Sequence, residues 1–175
     1  GGVFSVLVYG ELDNVYVNSN ISGAGYVGGI VGYLENSLIN NAYTSEEMQI
    51  LGSGPAGLIG SMRDSSLSNS VSRAFVSGSS FASGAVTSVD GDNAITNIYS
   101  ASSLHVTSNG SENKAGLIGV IGNSAAVSVT NSYWDIDTTG ADVSADGLGE
   151  GKSSAVLKCP TLVGDVACDT SVYEN

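Results

Sequence analysis

The chain has 175 residues, room for one domain, and 42% are hydrophobic, so a buried core can form. Only 13% are charged, against about 25% in an average domain, and seventeen acidic residues face five basic ones for a net charge of −12. Arg63, Arg73, Lys114, Lys152 and Lys158 are too few and too scattered to neutralise phosphates, which excludes nucleic acid, and no run of about 18 apolar residues exists to insert into a membrane.

Glycine accounts for 24 residues and proline for two. Val, Ile, Thr, Ser, Tyr and Asn fill much of the rest, a mix that favours strands and tight turns over helices. The excess of acid keeps a chain dispersed, and divalent-cation binding or a saline extracellular setting is the functional alternative.

Read in chain order, two anchors recur. The first is degenerate at Gly2-Val3-Phe4-Ser5, clear at Gly29-Ile30-Val31-Gly32 and Gly57-Leu58-Ile59-Gly60, degenerate at Gly84-Ala85-Val86-Thr87 and clear again at Gly116-Leu117-Ile118-Gly119. The second contains Asn14, Asn41, Asn69, Asn97 and Asn131, at steps of 27, 28, 28 and 34. The first glycines step by 27, 28, 27 and 32, so both anchors keep one period and lengthen in the same interval. A fixed period of this size marks stacked units. The expected fold is all-β: a parallel β-helix-like solenoid of about five coils of ~28 residues, spanning roughly 1–27, 28–55, 56–82, 83–114 and 115–140. The longer fourth step places excursions at residues 106–113 and 122–126.

Within such a coil the glycines are expected to allow positive φ at corners and close approach of stacked backbones. At least one apolar residue of each tetrapeptide points inward. The asparagines are read as a structural ladder passing amide hydrogen bonds from coil to coil. Tyr16, Tyr43, Tyr99 and Tyr133 follow them as a second row, which Val71 interrupts.

After Gly140 the pattern stops. Residues 141–175 read as a C-terminal cap, with a glycine-rich crossing at 147–151 and a short helix over 153–158 that Ser153 caps and Pro160 ends. Cys159 and Cys168 lie close enough in sequence for a local disulfide, which fits an oxidising compartment. The chain opens inside a repeat, as expected of a piece of a longer protein or of a mature chain that follows another segment.

At this point the residues carry a resemblance. The tetrapeptides at 57–60 and 116–119 resemble the one that names the GLUG-motif repeats. Asn131-Ser132-Tyr133-Trp134-Asp135-Ile136-Asp137-Thr138-Thr139-Gly140 is similar to the stretch that often closes such arrays, and Ala155-Val156-Leu157-Lys158-Cys159-Pro160 to the tail that follows. The resemblance covers nearly the whole chain. It implies a segment of a large secreted or surface-anchored bacterial protein, such as an adhesin or the non-catalytic region of an immunoglobulin A protease. It brings no catalytic residues.

Motifs with chemistry of their own are few. Gly147-Leu148-Gly149-Glu150-Gly151-Lys152-Ser153 lacks the first glycine of a phosphate loop, since Asp146 stands there. Asp135 and Asp137, with Asp142 near, resemble half a calcium loop, and Asp90 and Asp92 form a second such turn; no closing bidentate Glu follows, and no cofactor is expected beyond calcium at these positions. His105 is the single histidine and reads as a strand or surface residue, not a triad member. The leading expectation is therefore a non-enzymatic structural and adhesive solenoid at the bacterial surface. Its partners would be a protein or glycan of a host or neighbouring cell, or further copies of itself in a filament. The enzymatic alternative, a carbohydrate-active β-helix, would show itself by a groove holding two carboxylates on neighbouring coils.

Overall fold

A computed structural model describes residues 1–108, 113–123 and 125–157. The chain winds as a β-solenoid of parallel strands, every strand pairing with its counterpart in the next coil. The first sheet stacks five strands, Phe4–Val8, Val31–Glu35, Ile59–Arg63, Val86–Asp90 and Ile118–Ile121. The second stacks Glu11–Val17, Leu38–Thr44, Ser66–Ser72 and Asp92–Ser100, then continues through Ala126–Thr130 and Tyr133–Asp135. The third has four strands, Ile21–Ser22, Gln49–Gly52, Phe75–Gly78 and Ser103–Val106. Four turns are thus complete. A fifth has two β sides only: after Asp135 the backbone closes into the helix Ile136–Thr139, where a strand of the third sheet would continue the stack. Asp135 caps this helix, and the left-handed Gly140 ends it by donating to the Ile136 carbonyl.

The core consists of columns running along the rod. Val31, Ile59, Val86 and Ile118 stack in the first sheet, beside Leu34, Met62 and Val89, all completely buried. Ile39, Leu67 and Ile95 answer from the second sheet, and Ile50, Val76 and Leu104 from the third. Both apolar residues of each clear tetrapeptide are buried: Ile30 with Val31, Leu58 with Ile59, Leu117 with Ile118.

The glycines of these tetrapeptides answer to space, not to backbone angle. Positive φ among glycines occurs at Gly91, Gly140, Gly147 and Gly149 alone among the described residues. A Cβ on Gly57 would lie 1.8 Å from Ser72 Oγ and 2.2 Å from the Gly84 carbonyl oxygen. Gly29 faces Thr44, Gly84 faces Ser100 and Gly116 faces the Trp134 ring in the same manner. This wall is a column of hydrogen atoms pressed against the far end of the second sheet. The expectation of positive φ at these glycines is corrected; the expectation of close approach describes them.

Positive φ belongs instead to the asparagines. Asn14, Asn41, Asn69, Asn97 and Asn131 have φ of 57, 53, 48, 56 and 46°. Each bends its strand outward for one residue, so inward positions in the second coil run Ile39, Ala42, Thr44, with one residue too many between the first two. Trp134 lies over the last coil, its indole N–H donating to the Ala141 carbonyl at 2.8 Å, and the strand Glu150–Lys152 pairs beyond it. The second described helix is Ser154–Leu157. Cys159, Pro160 and Cys168, with the expected disulfide, lie outside the described residues, as does the middle of the first excursion, 109–112.

Candidate functional site

A groove runs along the rod where the first sheet turns into the second. It measures about 760 Å³ and draws on all five coils: Tyr9, then Asn36 to Leu38, Asp64 to Ser66, Asp92 to Ala94 and Ala126 to Ser128. Its shape follows from a second left-handed column that the anchors do not reveal. Tyr9, Asn36, Asp64 and Gly91 have φ of 52, 46, 45 and 70°. One such residue per coil turns the chain from one sheet to the next. Its N–H stays in the stack: Asn36 donates to the Arg63 carbonyl at 3.1 Å and Tyr9 to that of Glu35 at 3.2 Å.

Just behind three of these bends sits a buried polar residue, Ser37, Ser65 or Asn93, for a definite reason. The bend pulls backbone acceptors out of reach of the neighbouring coil, and a buried N–H left bare costs about 1–3 kcal/mol. Side chains supply the acceptor. Gly10 N–H donates to Ser37 Oγ at 3.0 Å, Ser37 N–H to Ser65 Oγ at 3.1 Å, and Ser65 N–H to Asn93 Oδ1 at 3.0 Å. Each hydroxyl donates in turn to a carbonyl of its own bend, Ser37 to Glu35 and Ser65 to Arg63. The asparagine bends use the same device at Ser70 and Ser132, which accept from Ala42 and Ile98. A left-handed Asn or Asp followed by Ser is thus the signature of a corner. It occurs at 36–37, 64–65, 69–70 and 131–132, but the same dipeptide at 18–19 lacks the left-handed backbone, so the pair alone does not mark a bend.

The groove does hold two carboxylates on neighbouring coils, Asp64 and Asp92. Asp64 is engaged: Oδ1 accepts the Asp92 N–H at 2.9 Å, Oδ2 is 3.6 Å from Arg63 Nε, and the carboxylate fills the space a side chain on Gly91 would need. Asp92 offers its carboxylate from an exposed position.

The asparagine ladder lies on the outer surface of the second sheet. Asn97 Nδ2 donates to Asn69 Oδ1 at 2.7 Å and Asn41 Nδ2 to Asn14 Oδ1 at 3.3 Å. Between them the row steps sideways, Asn69 donating to Asn40 Oδ1 at 2.8 Å and Asn40 to Asp13 Oδ1 at 2.8 Å. Asn131 shares the left-handed backbone at the end of the row. Beside it Tyr16 and Tyr43 stack with centroids 5.4 Å apart.

Of the aspartates considered for calcium, Asp135 and Asp137 are engaged with the chain itself. Asp135 is buried; Oδ1 accepts the Asp137 and Thr138 N–H groups and Oδ2 the Ser154 hydroxyl at 2.6 Å. Asp137 Oδ2 accepts the Ser154 N–H at 2.8 Å. These oxygens tie the closing helix to the next segment. Asp90 lies against Gly122. Among the described residues no three acidic, His or Cys side chains gather to hold a metal.

A smaller notch, about 380 Å³, opens where the second sheet meets the third, bordered by Glu46, Arg73, Phe75, Tyr99, Ser103 and Thr138, with Ala101 and Asp135 at its base. Arg73 Nη2 pairs with Glu46 at 3.1 Å, and Arg73 Nη1 donates to the Tyr43 hydroxyl at 3.5 Å. The Tyr43 hydrogen bond, with Glu46 and Tyr99 nearby, holds the guanidinium pKa above its ordinary value. His105 is an exposed strand residue, its ring stacked on Phe75 at 6.3 Å.

No family model matches the chain, and no curated protein matches it. Among solved structures, one from Bacteroides ovatus with the provisional name immunoglobulin A1 protease is similar in fold, with a TM-score of 0.56 and 23% identity. The likeness covers 82% of this chain and 49% of that one, so the chain spans about half the length of its structural neighbour.

Proposed function

We propose that this chain is a non-catalytic structural and adhesive segment of a large secreted or surface-anchored bacterial protein, working outside the cell. The observation that supports it most is the division of labour in the rod. Interior positions are filled by apolar columns and by small hydroxyl residues, of which Ser65 and Ser70 satisfy amides of the neighbouring coil, so a side chain free for outside contact lies in an outward column or at a corner. The GLUG-like tetrapeptides and the similarity in fold to the Bacteroides ovatus protein are in keeping with this reading. The partner would be a protein or glycan of a host or neighbouring cell. Beads coated with the chain should bind epithelial or bacterial cells saturably and without calcium. Binding no better than to albumin-coated beads would reject adhesion.

One observation favours a second reading. Asp64 and Asp92 lie in one groove on adjacent coils, as a carbohydrate-active enzyme would require. Against it stands the commitment of Asp64 to the Asp92 amide. Release of reducing ends from neutral polysaccharides, abolished by Asp92→Asn, would establish the enzyme; no release by the native chain would leave the scaffold.

A further inference from the structure

We propose that the notch between the second and third sheets is a binding site for one neutral pyranose ring of a surface glycan; this rests on the adhesive reading and names its ligand.

Three observations converge there. First, Phe75 is an outward residue on a strand face whose neighbours in the same column, Gln49 and Ser103, are polar. It is 36% exposed and braced by His105, which presents a flat, rigid apolar surface at the notch. The apolar C–H face of a sugar packs on such a ring with little loss of side-chain freedom. Second, Arg73 and Glu46 place a planar donor fork and a two-oxygen acceptor side by side, 3.1 Å apart. Adjacent hydroxyls each donate and accept, so this pair serves both halves of a vicinal diol, with the fork engaged in two bonds at once. Third, the row of tyrosines is broken at Val71, next along the second sheet to Tyr43 and Tyr99. The missing ring gives Arg73 room to reach the Tyr43 hydroxyl, which fixes the guanidinium before any ligand arrives.

Charge sets the class of sugar. Arg73 is already balanced by Glu46, and Asp135 lies at the base of the notch in a chain of net charge −12. The Asp135 carboxylate is satisfied by the Asp137 and Thr138 amides and the Ser154 hydroxyl, so a uronic or sialic acid would find no unpaired cation among the lining residues, whereas a neutral ring needs none. The volume of about 380 Å³ is near the lower end of small-molecule sites, roughly 300–1,000 Å³, and suits one ring.

The test is saturation-transfer NMR and calorimetry on the intact chain with lactose, cellobiose and mannobiose, and with digalacturonate as the acidic probe. At least one neutral disaccharide should bind in the millimolar range, with ring protons of Phe75 and His105 shifted, and digalacturonate should not. Phe75→Ala and Arg73→Gln should each weaken binding about tenfold or more, while Val6→Thr, exposed on the first sheet and outside both concavities, leaves it unchanged. Both notch residues are exposed, so unchanged circular dichroism is expected and is checked first. Binding that survives both notch variants would overturn the site while leaving adhesion standing. Binding by none of the neutral probes would overturn the ligand class, and the bead assay would judge adhesion by itself.

Discussion

The glycine wall and the asparagine bends have the same period and look alike as repeats of permissive residues, yet opposite needs hold them in place. Gly57 has an ordinary backbone angle and no room for a methyl group. Asn69 has an exposed side chain and a backbone angle of 48° that most residues resist. The wall demands the absence of a side chain. The bend demands a left-handed backbone and then makes use of the side chain that tolerates it. Recurrence in a solenoid therefore identifies a shared position, and only the local geometry tells which physical constraint the position obeys.

The sharpest way to break this contrast is to put the same residue, alanine, at both places. Gly57→Ala forces a methyl carbon against Ser72 and the Gly84 carbonyl, which can move only by parting the first two sheets. A loss of about 3 kcal/mol or more is expected in urea unfolding, at the upper end of overpacking costs. Gly→Ala at an unstrained site would have stabilised the chain by up to about 1 kcal/mol, so the sign as well as the size is informative. Asn69→Ala leaves space unchanged and should lose about 1–2 kcal/mol, from the left-handed backbone and the two amide bonds to Asn40 and Asn97. Asn69→Gly separates those terms. It keeps the backbone at ease and removes the amide, so it should remain within about 0.5 kcal/mol of the native chain. If the glycine variant were as unstable as the alanine variant, the exposed ladder would be contributing more than the backbone.

Much of the rod was legible because its period is written twice. The parallel stacking of the coils and the inward apolar residues of the glycine tetrapeptides follow from that register. The role of the glycines was not legible in full, since glycine serves both positive φ and close packing and the sequence does not distinguish them. Only the opposing hydroxyl of Ser72 does so. The groove was missed for a related reason. Its corner is held by Tyr9, Asn36, Asp64 and Gly91, four residue types sharing one backbone angle, so no residue identity repeats. The serine or asparagine behind the bend repeats better, at 37, 65 and 93, because a buried amide must have its acceptor. The fifth coil was expected to be complete; Asp135 captures the amides of Asp137 and Thr138 and turns the chain into a helix instead. Of the aspartates that resembled a calcium loop, Asp135 makes this turn and Asp137 ties it to Ser154.

Stacking of equivalent residues can be read directly from backbone nuclear Overhauser effects in a labelled sample. Contacts should link Leu34 with Met62 and Met62 with Val89, Ile39 with Leu67 and Leu67 with Ile95, and Ile50 with Val76 and Val76 with Leu104, each in the pattern of parallel strands. Cross-strand contacts between neighbouring segments in an antiparallel pattern, such as hairpins joining 31–35 to 38–44, would contradict the solenoid and with it the corners, the groove and the notch.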